Sequence, residues 1–195
     1  MSDAAKLLIV YGSSHGQTAK IAGSIREGLA AEGLHVEVHR GDEVPGGLDA
    51  AAFDAIVVGA SIVLGGHQRY IKRFVENHRD VLAERPSAFF SVSGSAGSRN
   101  AVEREEARRI MHRFLDEVGW RPELATTFAG AIPYTQYNPL VRWVMKRIAA
   151  KEGASTDTSR DHEYTDWAEV QAFTKSVADI ALSRHPILRA ERRGG

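Results

Sequence analysis

The chain reads as an α/β protein: a doubly wound, five-stranded parallel sheet of strand order 2-1-3-4-5, with a helical insertion before the last helix. Short, nearly unbroken apolar runs at Lys6–Tyr11, Asp54–Ala60 and Ala88–Val92 fit strands buried on both faces of a sheet. Longer segments with apolar residues at helical spacing separate them, so strand and helix alternate and each crossover is expected to be right-handed. The loops after the first, third and fourth strands, Gly12–Thr18, Ser61–His67 and Ser93–Ser98, are all rich in Gly and Ser. In this strand order the three meet where the order reverses, at the carboxyl ends of the strands, which is where open α/β sheets bind ligands.

Each element has its own signal. After the first strand, Ala19–Ala31 sets Ile21, Ala22, Ile25 and Leu29 on one helical face, and Gly33 stops the helix. Val36-Glu37-Val38-His39 alternates like a half-exposed strand near a sheet edge. His35 and His39 share strand parity but have no further ligand types beside them, so they read as exposed strand residues and not as a metal site. From Arg69 a helix carries Tyr70, Ile71, Phe74, Val75, His78 and Leu82 inward, and Pro86 ends it. After the strand Ala88–Val92, a helix buries Ala107, Ile110, Met111, Phe114, Leu115 and Val118 and closes at Gly119. Its outer face, Glu103 to Arg109, is a solvated run of mixed charge expected to pair at i,i+4. Leu124–Ala131 supplies the last strand. Asp166–Leu182 supplies the last helix, with Trp167, Val170, Phe173, Val177 and Ile180 inward. One domain over residues 1–185 results, with the insertion at about 133–165 and a basic tail at 186–195.

Composition narrows the chemistry. With 195 residues, 43% hydrophobic and 26% charged, the chain has the makeup of an ordinary globular protein with a sizeable core. Lys plus Arg balances Asp plus Glu at 25 each, so there is no nucleic-acid footprint. The absence of Cys excludes disulfides, a thiolate nucleophile and an iron–sulfur cluster. Redox chemistry would then need a bound organic cofactor. Met1–Lys6 has no signal-peptide pattern and no apolar run approaches the length of a membrane span, so a cytoplasmic location is expected.

The loop Ser13-Ser14-His15-Gly16-Gln17-Thr18 joins a buried strand to the start of a helix. Free backbone N–H groups at a helix N-terminus and nearby hydroxyls make a seat for phosphate. No Lys follows Gly16, so it is not a Walker A loop, and Gly12 and Gly16 lack the dinucleotide spacing. An ordinary turn capped by Thr18 or Ser14 is the other reading.

This loop resembles the phosphate loop of flavodoxins, hydroxyl–x–hydroxyl–Gly–x–Thr, with His15 where many of them carry Thr or Ser. Further segments sharpen the resemblance. They are Gly59-Ala60-Ser61-Ile62, Pro86–Val92, Trp120-Arg121-Pro122, the run from Ala129 through Tyr134 and Tyr137 to Arg147, Ser155-Thr156-Asp157-Thr158, and Tyr164-Thr165-Asp166-Trp167. Together they resemble the flavodoxin-like, menaquinone-dependent protoporphyrinogen IX dehydrogenase family over Lys6 to Leu182. The Thr-Asp-Thr and Tyr-Thr-Asp-Trp segments are the most specific part, because generic flavodoxins lack them.

The resemblance implies FMN-dependent oxidation of protoporphyrinogen IX to protoporphyrin IX in haem synthesis, with electrons passed to a membrane quinone. It implies a phosphate site at Ser13, Ser14, His15, Gly16, Gln17 and Thr18. Ring-binding positions would be Ala60, Ser61 and Ile62 with Val63, Leu64 and Gly65 after them, and Ser91, Val92, Ser93 and Gly94 with Ser95 and Ala96. The stretch Gly94–Arg104 departs from the family pattern, which is more basic there and contains proline. Two other functions fit the same fold: a flavodoxin-type electron carrier and an NAD(P)H:quinone oxidoreductase. The neutral charge balance, and loops with no Trp, Tyr or Phe to sandwich a flavin ring, count against the carrier.

Backbone N–H groups of Ile62–Gly65 and Ser93–Ala96 are expected to face the polar edge of the ring. His67 is the candidate catalytic residue, moving a proton beside the ring, or else a cap-like residue opening the helix at Gln68. In residues 138–151, Leu140, Val141, Val144, Met145 and Ile148 form an apolar stripe beside Arg142, Lys146, Arg147 and Lys151. With Trp143, this basic amphipathic stretch reads either as peripheral contact with the inner face of the cell membrane or a partner, or as a helix packed on the sheet. Tyr134 and Tyr137 line the cofactor's edge or pack at the rim.

Overall fold

Strands that are apolar in both directions need cover on both faces, and three such strands occupy the middle of the sheet. The computed structural model describes residues 4–132 and 162–184. In it β1 (Lys6–Gly12), β2 (His35–Arg40), β3 (Ala55–Ser61), β4 (Ser87–Ser93) and β5 (Leu124–Ala129) form one sheet in the order β2-β1-β3-β4-β5. All four pairings are parallel, and the order is the expected one. β2 lies at an edge, with His35 and Glu37 exposed and its other side chains half-buried, and there His39 Nε2 meets Glu37 Oε1 at 2.9 Å.

Side chains alternating along β1, β3 and β4 feed two separate cores. Leu7, Ile9, Val57 and Phe90 point to one face, against Ile21, Ile25 and Leu29 of α1 (Gln17–Ala31) and Val170, Phe173 and Val177 of α5 (Trp167–Arg184). Leu8, Val10, Ile56, Val58 and Phe89 point to the other. There they meet α2 (Arg69–Asn77), α3 (Arg79–Glu84) and α4 (Ala101–Val118) through Ile71, Phe74, Leu82, Met111 and Phe114. Trp120 closes this second core and donates from Nε1 to the buried Ser87 Oγ at 3.2 Å.

Three expectations change. The helix from Arg69 to Pro86 is two helices, broken at His78, where φ is −116° and ψ 19°. The Phe74 carbonyl accepts from both the His78 main chain (3.1 Å) and His78 Nδ1 (2.8 Å), which stops α2 and lets α3 turn Leu82 onto the sheet. The last strand ends at Ala129, and the bond from Gly130 N to Ser93 O at 2.9 Å is the last rung of the β4–β5 ladder. The chain then leaves the sheet, and β6 (Ala131–Ile132) pairs antiparallel with β7 (His162–Glu163) in a small ribbon. On α4 the charges pair at i,i+3 instead of i,i+4: Glu105 with Arg108 at 3.3 Å and Glu106 with Arg109 at 3.0 Å. The basic stretch 138–151, Tyr134, Tyr137, the Thr156-Asp157-Thr158 segment and the tail 186–195 lie outside the described residues.

Gly59 sits in the middle of β3, opposite Phe90 of β4, and a Cβ there would lie 2.1 Å from Phe90 Cζ. The Phe90 ring uses the space that any side chain would need. Gly59→Ala is expected to destabilise the fold by about 1–3 kcal/mol through overpacking. Urea denaturation checks this, and adding Phe90→Leu to the variant should recover part of the loss.

Candidate active site

The first loop follows from how β1 hands over to α1. Gly16 takes φ 89°, a left-handed value, as the N-cap residue, and no side chain caps the helix. The Thr18 and Ser14 capping alternative therefore does not hold. Ser13 Oγ instead accepts from Gly16 N at 2.9 Å and curls the loop over the helix start. The first α1 bond onto this loop is Lys20 N to Gly16 O at 3.1 Å, so the amides of Gln17, Thr18 and Ala19 come before it. No acidic residue lies in the first turn to neutralise the positive end of the helix. Thr18 is almost fully buried.

The second loop is a tight turn. Val63 N donates to Gly66 O at 2.8 Å and Gly66 N to Val63 O at 3.2 Å, with Leu64 (φ 51°) and Gly65 (φ 78°) between them. Two consecutive positive φ values are the hairpin type normally built from Asn-Gly. Leu64 holds it with its side chain fully in water. Arg113 of α4 pins the turn by donating to Gly65 O at 3.0 Å. The third loop is organised by Ser93, whose Oγ accepts from Ala96 N at 3.1 Å. Arg104 closes its far side by donating to Ser98 O at 2.7 Å and Arg99 O at 2.9 Å. Of the ring-facing amides expected in these loops, Ile62 N is committed to Val92 O (2.8 Å), and Val63 N and Ala96 N are committed as described.

The structure brings Ser13–Thr18, Ser61–Gly65 and Ser93–Ala96 to one end of the sheet, as the strand order requires. Ala60, Ser91 and Val92 belong to the strand bodies and are buried. Three other residues join the site without having been singled out for it. Gln68, the N-cap of α2, spans the first two loops, donating from Nε2 to Ser14 Oγ at 3.2 Å and to Ser61 Oγ. Arg113 comes from α4, and Thr165 reaches in from the far side of the insertion. Nothing local marks Gln68 or Arg113, since their roles depend on distant chain segments meeting.

His67 does not cap the helix. Its Nε2 lies 2.8 Å from the buried Ser91 Oγ, and its ring packs 5.6 Å from Phe89 and 4.7 Å from Phe114. Burial, with a smaller push from the Arg113 charge, lowers its pKa from 6.5 to about 4. The ring is neutral at physiological pH.

Whether these residues suit a phosphate-bearing flavin can be asked of the buried polar atoms. Among the described residues, those without a partner are Thr18 Oγ1, His67 Nδ1 and Gln68 Oε1. All three belong to the segments that converge on this end of the sheet. A buried polar atom without a partner costs about 1–3 kcal/mol. Thr18 Oγ1, beside open helix amides, is suited to donate to a phosphate oxygen. The residues fit the group.

The family description "Flavodoxin domain" matches residues 8–159. The chain belongs to the flavodoxin-domain family. Flavodoxins bind FMN at the switch point between the first and third strands, and FMN is the cofactor that family and seat support. Protoporphyrinogen IX dehydrogenase [quinone] of Escherichia coli (strain K12) is 32% identical over 184 residues, covering 90% of this chain and 96% of the relative. The protein of the same name from Leishmania major is 31% identical over 191 residues, covering 95% and 80%. This flavodoxin-domain chain therefore shares a family with those dehydrogenases. Oxidised flavodoxin 1 from Bacillus cereus superposes with a TM-score of 0.53 at 16% identity, covering 90% of this chain and 98% of that one, which shows the shared fold.

The depressed His67 pKa has a sign. The unfolded chain binds this proton below about 6.5 and the folded chain only below about 4. The stability tied to the neutral ring is full above pH 6.5 and is lost as the pH falls toward 4, by roughly 3 kcal/mol. Urea midpoints between pH 7 and 4.5 should fall more steeply for the wild type than for His67→Gln.

Proposed function

We propose that this protein is an FMN-dependent dehydrogenase that oxidises protoporphyrinogen IX to protoporphyrin IX and passes the electrons to a quinone. The observation that carries the reading is the 32% identity to a protoporphyrinogen IX dehydrogenase across 96% of that relative's length. The site supports it independently, because each part expected to hold the cofactor has a physical means of doing so. The α1 amides and Thr18 hold the phosphate, while the turn Val63–Gly66 and the Ser93–Gly97 loop frame the ring. Bound FMN supplies the electron acceptor, and the protein positions it.

The framing loops Ser61–His67 and Ser93–Ser98 carry no Trp, Tyr or Phe to sandwich the ring, which suits access by a flat tetrapyrrole or a quinone. His67, neutral and weakly basic, holds the Ser91 hydroxyl and steadies the second loop instead of shuttling protons. The acceptor is of the menaquinone type, a lipid-soluble molecule. The basic amphipathic stretch 138–151 suits contact with the inner face of the cell membrane. No helix among the described residues is long and apolar enough to cross one.

The purified protein should be yellow. Anaerobic protoporphyrinogen IX should bleach its flavin absorbance, and a menaquinone analogue should restore it. FMN demonstrably bound but not bleached would remove the substrate. Thr18→Val should weaken FMN binding about tenfold, as loss of a hydrogen bond to a charged group does, and leave riboflavin binding unchanged. Fluorescence quenching titrations measure both.

A further inference from the structure

The Tyr164-Thr165-Asp166-Trp167 segment has no part in the function derived so far, yet it lies against the phosphate loop. Thr165 Oγ1 accepts from Gln17 Nε2 at 2.8 Å and donates to Ala129 O at 2.7 Å. One hydroxyl, 148 residues from Gln17 in sequence, thereby ties the first residue of α1 to the end of β5. Around it, Glu163 Oε2 meets Lys20 Nζ at 3.2 Å, and Glu163 Oε1 accepts from Trp167 Nε1 at 2.8 Å. Burial pushes the Glu163 carboxyl up, but bonds from Lys20, Trp167 and Gln17 outweigh it and hold the group below its ordinary value. Tyr164 N donates to Gly130 O at 3.1 Å, and Asp166 Oδ1 accepts from Ala168 N at 2.9 Å and caps α5. The Gln17 side chain, buried and turned onto Thr165, is thus held by the protein, while its main-chain N–H opens α1.

We propose that Thr165 is a positioning residue for the cofactor phosphate: it holds Gln17, and through it the first turn of α1, at the orientation in which the amides of that turn converge on one anion. A helix start with a left-handed glycine before it and no side-chain cap has little of its own to hold that orientation. The bond from Gln17 to Thr165 provides it from outside the loop. Both strands of the β6–β7 ribbon, Ala131–Ile132 and His162–Glu163, adjoin the residues that make this contact.

The proposal rests on the FMN reading above, and the test separates the two. FMN and riboflavin, which lacks the phosphate, are titrated into wild type, Thr165→Val, Thr165→Ser, Gln17→Met and the Thr165→Val/Gln17→Met pair. Valine keeps the volume of threonine and loses both hydrogen bonds. Thr165→Val should bind FMN about 5- to 30-fold more weakly and riboflavin as the wild type does. Serine should restore FMN affinity, and the double variant should lose no more than the worse single one. Equal FMN affinity in Thr165→Val, equal weakening for both flavins, or additive losses in the pair would each overturn the proposal. A wild type that binds neither flavin would instead overturn the FMN reading. Should Thr165→Val fail to fold by circular dichroism, Gln17→Met, which leaves Thr165 bonded to Ala129, carries the FMN-against-riboflavin comparison with the same outcomes.

Discussion

A helix whose first amides have no internal partners, placed where the strand order of a parallel sheet reverses, concentrates positive potential at one point on this molecule. Gly16 at φ 89° keeps that end of α1 open, and the missing side-chain cap leaves it unfilled. An anion is the partner that such an end accepts at least cost. The other features of the site are ways of aiming that end and of framing what extends from it. Ser13 curls the loop, Gln68 joins it to the second loop, and Thr165 steadies the first turn from the opposite flank.

The second and third loops solve a different problem, which is to stand still without aromatic anchors. A turn with Leu64 at φ 51° stores strain that Asn or Gly would avoid, and Arg113 holds it through Gly65 O. Ser93 and Arg104 do the same for the loop after β4 through bonds to main-chain atoms. Hydrogen-bonded loops without aromatic side chains suit a protein that must admit a large flat reactant better than one that must bury its cofactor. His67 belongs to this framework. Packed against Phe89 and Phe114, with its Nε2 at Ser91 Oγ, its ring is held neutral by burial and, to a smaller degree, by the Arg113 charge.

The expected fold was legible because its signals are local or nearly so. Unbroken apolar runs at Leu7–Val10, Ile56–Val58 and Ala88–Phe90, too short for helices, fit doubly covered strands, and the spacing of Ile21, Ile25 and Leu29 fits a helix packed on one side. The break at His78 was not legible, since it depends on a side chain taking a carbonyl from its own helix. Gly130 and Ala131 were read as strand, because their departure from the sheet goes with the pairing of Ala131–Ile132 to His162–Glu163, about 30 positions further on. In the site, the loop Ser13–Thr18 announced itself by composition. Gln68 looked like any polar residue at the start of a helix, and Thr165 belonged to a motif with a family but no role.

By itself, then, the sequence determined the strand order, the two faces of the core and the family, since each follows from patterns of burial within a short window or from likeness along the chain, whereas the uncapped start of α1 was one of two readings until the structure showed it. Tertiary structure alone decided which distant side chains meet there. Gln68 reaching Ser14, Arg113 reaching Gly65 and Thr165 reaching Gln17 are hydrogen bonds between segments tens of residues apart or more. Such bonds leave no period or propensity behind them, because a single polar atom at the right distance is enough to make one.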